Sequence, residues 1–252
     1  MKVVRTVAEL RDGLPSSGTV GLVPTMGALH AGHVALVETA RAECDFVVMS
    51  LFVNEAQFDS DADFARYPRN EERDLSVAED AGVDIVFAPE ADELFPPGYG
   101  TWVEPEEHGL EAEFRPGHFR GVATVCLKLF NIVRPQRVYF GQKDAQQVHV
   151  VLRMLRDFNH DTELKVVPTV RDQDGLALSS RNALLSPEER ERARALPRAL
   201  ETGDVSRARE LLDGLDVDYV AIADFEPKVL VAAVRLGPTR LIDNIPLEGE
   251  PT

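Results

Sequence analysis

The sequence predicts an α/β fold: a doubly wound parallel sheet with a smaller C-terminal α+β domain. Two observations carry this. From the start to about residue 168, short apolar runs alternate with amphipathic helical stretches, and strands that are apolar on both faces need helices to cover both. After the turn "RDQDG" (171–175) the order changes to helical stretches and then three strand-like runs, the pattern of a segregated α+β unit.

The strand candidates of the first part are "TVGLVPT" (19–25), "DFVVMSLFV" (45–53), "DIVFAP" (84–89), "RVYFG" (137–141) and "ELKVVPTV" (163–170). Helical patterns fall between them at about 33–43, 69–81, 119–133 and 144–157. Over 119–133, Val122, Val125, Leu129 and Ile132 share one face at helical spacing. In the second part "SPEERERARALPRAL" opens with Ser186 as N-cap, Pro187 at the first helical position and Glu189 completing a capping box. "SRARELLDGL" reads as a second short helix, and "DYVAIADF", "KVLVAAVRLG" and "TRLIDNIPL" read as strands divided by Pro or Gly turns. We therefore expect a Rossmann-like domain over 1–169 and a small α+β domain over 170–252.

At 252 residues and 44% apolar content the chain has ample material for a buried core. Its formal charge of −16 opposes a nucleic-acid or anionic-membrane partner. It does not oppose an anionic small molecule, because a few local cations outweigh distant surface charge. Cys44 and Cys126 each lie in an apolar run, as buried free thiols of a reducing compartment do. "MKVVRTVAELRDG" lacks the apolar stretch of a secretory signal, and no run reaches membrane-spanning length. These features lead us to expect a soluble cytoplasmic protein.

One stretch stands out chemically, "GLVPTMGALHAGHVALV" (21–37), where an apolar strand turns into a helix through His30-x-Gly-His33. In an open α/β sheet, ligands bind beyond the carboxyl ends of the strands. Gly27 and Gly32 allow close backbone approach, and a helix start presents free N–H groups and partial positive charge to an anion. Imidazoles at 30 and 33 add hydrogen-bond donors suited to phosphate oxygens. The other reading of paired histidines, a metal site, lacks a third ligand at a telling spacing.

"PTMGALHAGH" resembles the nucleotide signature of pantothenate synthetases, within the wider class of adenylyl-transferring folds that carry a "HIGH"-type motif. The likeness continues in order through "SLFVNEAQF", "YPR", "RPGHFRGVATV", "FGQKDAQQ", "VPTVRDQDGLALSSRN" and "TRLIDNI", nearly the whole chain. It implies an enzyme that condenses pantoate with β-alanine using ATP, in two steps. Pantoate's carboxylate attacks the α-phosphorus to give pantoyl adenylate and pyrophosphate, and the amine of β-alanine then displaces AMP. Magnesium with the ATP and a homodimer are further implications. Two other functions stay open: nucleotidyl transfer to a phosphorylated alcohol, and a silent ATP-binding homologue.

The resemblance implies ATP contacts from Met26, Gly27, Ala28, Leu29, His30, Ala31, Gly32 and His33, from Gly141, Gln142, Lys143 and Asp144, and from Val170, Leu178, Ser179, Ser180 and Arg181. His30, His33 and Lys143 would carry catalysis, the lysine by placing a point charge on the α-phosphate. Outside the resemblance, Lys143 reads as a solvated lysine at a helix start, and the two serines read as caps. Gln57 and Gln147 would bind pantoate, with Asn54 beside them; neutral amides hold a carboxylate without dulling it as a nucleophile. Asp144 and Gln147 also have capping-box spacing, a structural use for the same glutamine. Arg115, His118 and Arg120 read equally as anion holders or as surface-loop residues. Asp74 would help hold magnesium or, by itself, is a solvated helix-surface aspartate.

The chain departs from the family pattern at four of these places. Glu55 stands where proline is usual, adding negative charge beside a presumed anion site. Ala145 stands for tyrosine, Gln142 for glutamate and Leu178 for methionine. None removes an imidazole, the lysine or an amide, and the resemblance still implies activity.

Overall fold

A computed structural model of the protein describes residues 1–59 and 61–247. The chain divides into two compact units, Met1–Phe140 with Val150–Val167, and Gly141–His149 with Pro168–Thr252, the last described only to Leu247. The Lys143 segment belongs to the second unit.

In chain order the first part forms β1 (Lys2–Val4), α1 (Val7–Gly13), β2 (Val20–Thr25), α2 (Ala31–Glu43), β3 (Phe46–Leu51), α3 (Asp61–Arg66), α4 (Glu71–Asp80) and β4 (Ile85–Phe87). Then come α5 (Ala91–Leu94), α6 (Leu110–Phe114), α7 (His118–Val133), β5 (Arg137–Gly141), α8 (Ala145–Asp157) and β6 (Glu163–Val167). The sheet runs β1-β4-β3-β2-β5-β6, and the pairs β1–β4, β4–β3, β3–β2 and β2–β5 are parallel. Leu22, Val23, Val47, Val48, Val86, Phe87 and Tyr139 are buried along the central strands, which is why those strands read as continuous apolar runs.

The topology places the carboxyl end of β2 at the switch point, since the chain leaves β2 for β3 on one side and returns through β5 on the other. Pro24 sharpens this. The ladder to β5 covers Gly21 and Leu22 and stops short of Pro24, which has no N–H to continue it. On the β3 side pairing continues to Thr25, whose hydroxyl donates to the Ser50 carbonyl at 2.7 Å.

The second unit packs α9 (Pro187–Ala193), α10 (Ala195–Leu200) and α11 (Val205–Leu211) on the antiparallel sheet β7 (Asp216–Ala223), β8 (Val229–Leu236), β9 (Thr239–Pro246). Its core gathers Leu196, Leu200 and Leu212 from the helical part with Leu230, Ala232 and Val234 of β8. Ser186 and Glu189 form the expected reciprocal cap. The helix expected from Ser186 to Leu200 is two helices, because Pro197 has no N–H to extend α9 and sits instead in the first turn of α10, where that N–H has no helical partner anyway.

The sequence reading missed β1, α1 and the short α3, α5 and α6. Three residues are too few for a period to show, but α1 carried a usable signal: Thr6 and Glu9 form a capping box. Both cysteines are free and buried, and burial pushes the Cys126 thiol up to about 12. Among the described residues no helix is long and apolar enough to cross a membrane.

Leu200 is fully buried in the second core. Leu200→Ala should lower the free energy of unfolding by about 2–5 kcal/mol, read by urea titration. A loss below about 1 kcal/mol would mean that the core closes over the gap.

Candidate active site

The histidine stretch works as a reciprocal helix cap. The first amides of an α-helix have no partner within it. Here the Gly32 N–H donates to His30 Nδ1 at 3.1 Å, and the His30 N–H donates to His33 Nδ1 at 3.2 Å. An N–H can only donate, so both Nδ1 atoms are acceptors, and each neutral ring carries its proton on Nε2. The two rings lie 4.2 Å apart between centroids. A Cβ at residue 32 would stand 2.9 Å from His30 Nδ1, so the glycine is what lets the ring fold back over the helix start.

The turn before the helix is held from beneath by α4. Gly27 (φ +82°) and Ala28 (φ +52°) both adopt the left-handed conformation, which costs an L-residue such as alanine about 1 kcal/mol. Asp74, only 2% exposed, accepts from the Ala28 N–H at Oδ2 and the Leu29 N–H at Oδ1, both at 2.8 Å. The neighbouring Arg73 donates to the Leu29 carbonyl at 3.0 Å. Asp74 is thus not a solvated surface aspartate: each of its oxygens already accepts a backbone N–H of the turn. Among the described residues no group of three His, Cys, Asp or Glu side chains could hold a metal ion, so the side chains do not fit a protein-built magnesium cage.

A second cluster in the same unit surrounds Gln57, in the turn Glu55–Gln57 after β3. Asn54 and Gln57 are buried, and Asn54 Nδ2 donates both to the Gly121 carbonyl and to Gln57 Oε1, each at 3.1 Å. That pins the Gln57 amide with its oxygen inward and leaves Nε2 as its donor end. α7 comes so close that a Cβ on Gly121 would lie 2.2 Å from the Ala56 carbonyl oxygen. His118 Nδ1–H donates to the Gln57 carbonyl at 2.8 Å, and Arg115 donates to the same oxygen at 3.1 Å and to His118 Nε2 at 3.1 Å. The "RPGHFRG" block therefore clasps backbone at Gln57, an outcome its loop-like composition did not reveal. Arg120 lies over the Trp102 ring and pairs with Glu104.

In the second unit β5 ends at Gly141, and Gln142–Asp144 form a single 3-10 turn leading into α8. Lys143 is mostly buried and its Nζ lies 3.4 Å from Asp144 Oδ1. Gln147 lies half-buried in the first turn of α8, next to the buried Gln146. Val170 accepts from the Leu178 N–H at 2.9 Å, closing the loop that leads to Ser179. Ser179 caps the turn Ser180–Leu184 by accepting from the Arg181 N–H at 3.2 Å, while its own hydroxyl hydrogen can still donate elsewhere. Asp243 forms a two-pronged pair with Arg171, at 2.6 and 3.1 Å. Burial raises the Asp243 carboxyl above its ordinary value, against the pull of Arg171, the Asn244 N–H and the Lys143 charge.

Within the first unit the structure brings residues 26–33 together with Asp74, and Asn54 together with Gln57 and His118. Within the second it gathers 141–144, Arg171, Asp243 and Asn244. A parallel sheet whose switch-point strand opens onto a histidine-capped helix is the arrangement of nucleotide-binding α/β folds. The family model described as pantoate-beta-alanine ligase matches residues 2–246. A pantothenate synthetase of Chloroflexus aurantiacus is 50% identical, with 99% of each chain covered, and one from Roseiflexus sp. is 49% identical over 98% of this chain and 100% of that one. The crystal structure of pantothenate synthetase from Thermus thermophilus superposes with a TM-score of 0.92 at 47% identity, covering 98% of this chain and 99% of that one. That of pantoate-beta-alanine ligase from Francisella tularensis, complexed with beta-gamma ATP and beta-alanine, gives 0.87 at 33% identity, covering 98% and 97%. The chain belongs to the pantoate–β-alanine ligase family.

Asp74→Asn keeps one acceptor and sets an NH2 against a backbone N–H. It should cost about 1–3 kcal/mol of stability and raise the KM for ATP, with the magnesium concentration for half-maximal rate unchanged. Full stability with a tenfold higher magnesium requirement would instead make Asp74 a metal ligand.

Proposed function

We propose that this chain joins pantoate to β-alanine at the expense of ATP, passing through pantoyl adenylate and releasing pyrophosphate and then AMP. The observation that supports the reading most is the reciprocal His30–His33 cap at the switch point, which puts each ring's proton on Nε2, in this reading a donor for phosphate oxygens beside the start of α2.

In this reading His30 and His33 donate to phosphate oxygens of ATP, with Met26 to Leu29, Ala31 and Gly32 supplying the backbone around them. Lys143, flanked by Gly141, Gln142 and Asp144, brings its charge to the α-phosphate, where negative charge grows as pantoate attacks. Ser179, Ser180 and Arg181 hold the outer phosphates, with Val170 and Leu178 shaping the loop. Gln57 presents its NH2 to pantoate, and Asn54 sets the direction of that amide. Gln147 is the second pantoate amide. Once the acyl phosphate bond has formed, the β-alanine amine attacks the acyl carbon and AMP leaves with the electron pair of the broken C–O bond. No covalent bond to the protein is needed; the work is positioning and charge stabilisation.

Magnesium would enter with the triphosphate, as its counter-ion. A cytoplasmic homodimer completes the reading by family resemblance alone.

The reading predicts pantoate-dependent exchange of labelled pyrophosphate into ATP, with AMP release only when β-alanine is added. His33→Ala and Lys143→Ala should each slow exchange about a hundredfold or more. Exchange that ignores pantoate would reassign the substrate, and a stable nucleotide-linked product would favour nucleotidyl transfer to an alcohol. Near wild-type exchange in either variant would remove that residue from its role.

Glu55 is exposed at the head of the Gln57 turn. Glu55→Pro should tighten pantoate binding by calorimetry, and unchanged or weaker binding would refute a charge effect there.

A further inference from the structure

The block "TRLIDNI" has no part in the chemistry above, yet Asn244 within it spends its whole side chain on the turn that carries Lys143. Asn244 is buried on β9. Its Nδ2 donates to the Gln142 carbonyl at 2.9 Å and to the Lys143 carbonyl at 2.8 Å, while its Oδ1 accepts from Gln142 Nε2 at 3.0 Å. Two donors and one acceptor in one short planar group are what a carboxamide offers; a carboxylate or a hydroxyl of similar size cannot make all three bonds.

Asn244 is itself held. Its N–H donates to Asp243 Oδ1 at 2.8 Å, and Asp243 is fixed by the two-pronged bond from Arg171. Arg171 also donates to the Gly175 carbonyl at 3.1 Å. Three segments far apart in sequence, 141–144, 171–175 and 243–244, thus form one hydrogen-bonded frame inside the second unit. Gln142 belongs to the frame as well, through its Nε2 bond to Asn244 Oδ1.

A network that merely held the fold together could grip any part of this turn. This one grips the peptide carbonyl of Lys143, and so fixes the point from which its four-carbon stem starts. We propose that Asn244 is a positioning residue for adenylation, acting through Lys143 by pinning the Gln142 and Lys143 carbonyls, with Asp243 and Arg171 as its support. The proposal rests on the reading of Lys143 as the cation of the α-phosphate.

The test is a double-mutant cycle on the full chain, measured as the maximal rate of pantoate-dependent pyrophosphate exchange. Asn244→Ala should slow exchange on the order of tenfold to a hundredfold, as misplacement of a reacting group does. In a Lys143→Ala background the same change should add less than about twofold, since there is no ammonium left to position. If the two losses multiply, Asn244 does not act through Lys143 and the proposal falls while the reading of Lys143 stands. If Lys143→Ala alone exchanges normally, both fall. Should Asn244→Ala fail to melt as a folded protein, Gln142→Ala removes the bond to Oδ1 while leaving both carbonyl bonds of Asn244 in place. It is expected to give a smaller loss that likewise vanishes beside Lys143→Ala, and a loss that persists there overturns the proposal.

Discussion

Every α-helix begins with amides that have no partner inside it, and in this protein the handling of those at the start of α2 is the constraint on which the rest turns. Had a serine or aspartate capped the helix, the N–H groups would be satisfied and nothing more. With His30 and His33 as the caps, each ring spends one nitrogen on the backbone and turns a protonated second nitrogen into a donor. The same two bonds that start the helix also select the tautomer. Gly32 follows from this, because any side chain there would collide with the ring that folds back.

A surface built that way needs a rigid base, and the surrounding sequence supplies one. Pro24 ends the ladder toward β5 and opens the carboxyl end of β2. The buried Asp74 then holds the left-handed turn at Ala28 and Leu29 with two charge-assisted bonds. The same economy appears around Gln57, where Asn54 sets the amide and the His118–Arg115 pair holds the carbonyl. It appears again around Lys143, held by Asn244. In each case a buried polar group fixes a backbone segment, and the segment carries a side chain that the proposed function assigns to substrate. Buried polar groups left half-satisfied would destabilise these turns; fully bonded, they define one geometry each.

These features differ in how far the sequence disclosed them. The parallel strands were readable because β2, β3 and β5 are apolar on both faces, and the Ser186 cap because its partner Glu189 lies three residues on. Residues 26–33 were readable because strand, turn and helix start follow one another in ten residues. The supports were not. Asp74 reaches back 46 residues to Ala28, His118 reaches 61 to Gln57, and Asn244 reaches 101 to Lys143. No local pattern marks such a partner: on its own segment Asp74 looks like any aspartate on a charged helix, and "RPGHFRG" looks like a loop. The break between α9 and α10 was legible in principle, since Pro197 cannot continue a helix, but its apolar neighbours preserved the helical period.

The proposed anion binding at the switch point depends most directly on the protonation of the two capping rings. Histidine side-chain nitrogens, resolved by NMR on isotopically labelled protein at neutral pH, should show His30 and His33 both with the proton on Nε2 and a bare, hydrogen-bonded Nδ1, the Nε2 signals shifting when ATP is added. A proton on Nδ1 of either ring, or Nε2 signals that ignore ATP, would contradict it.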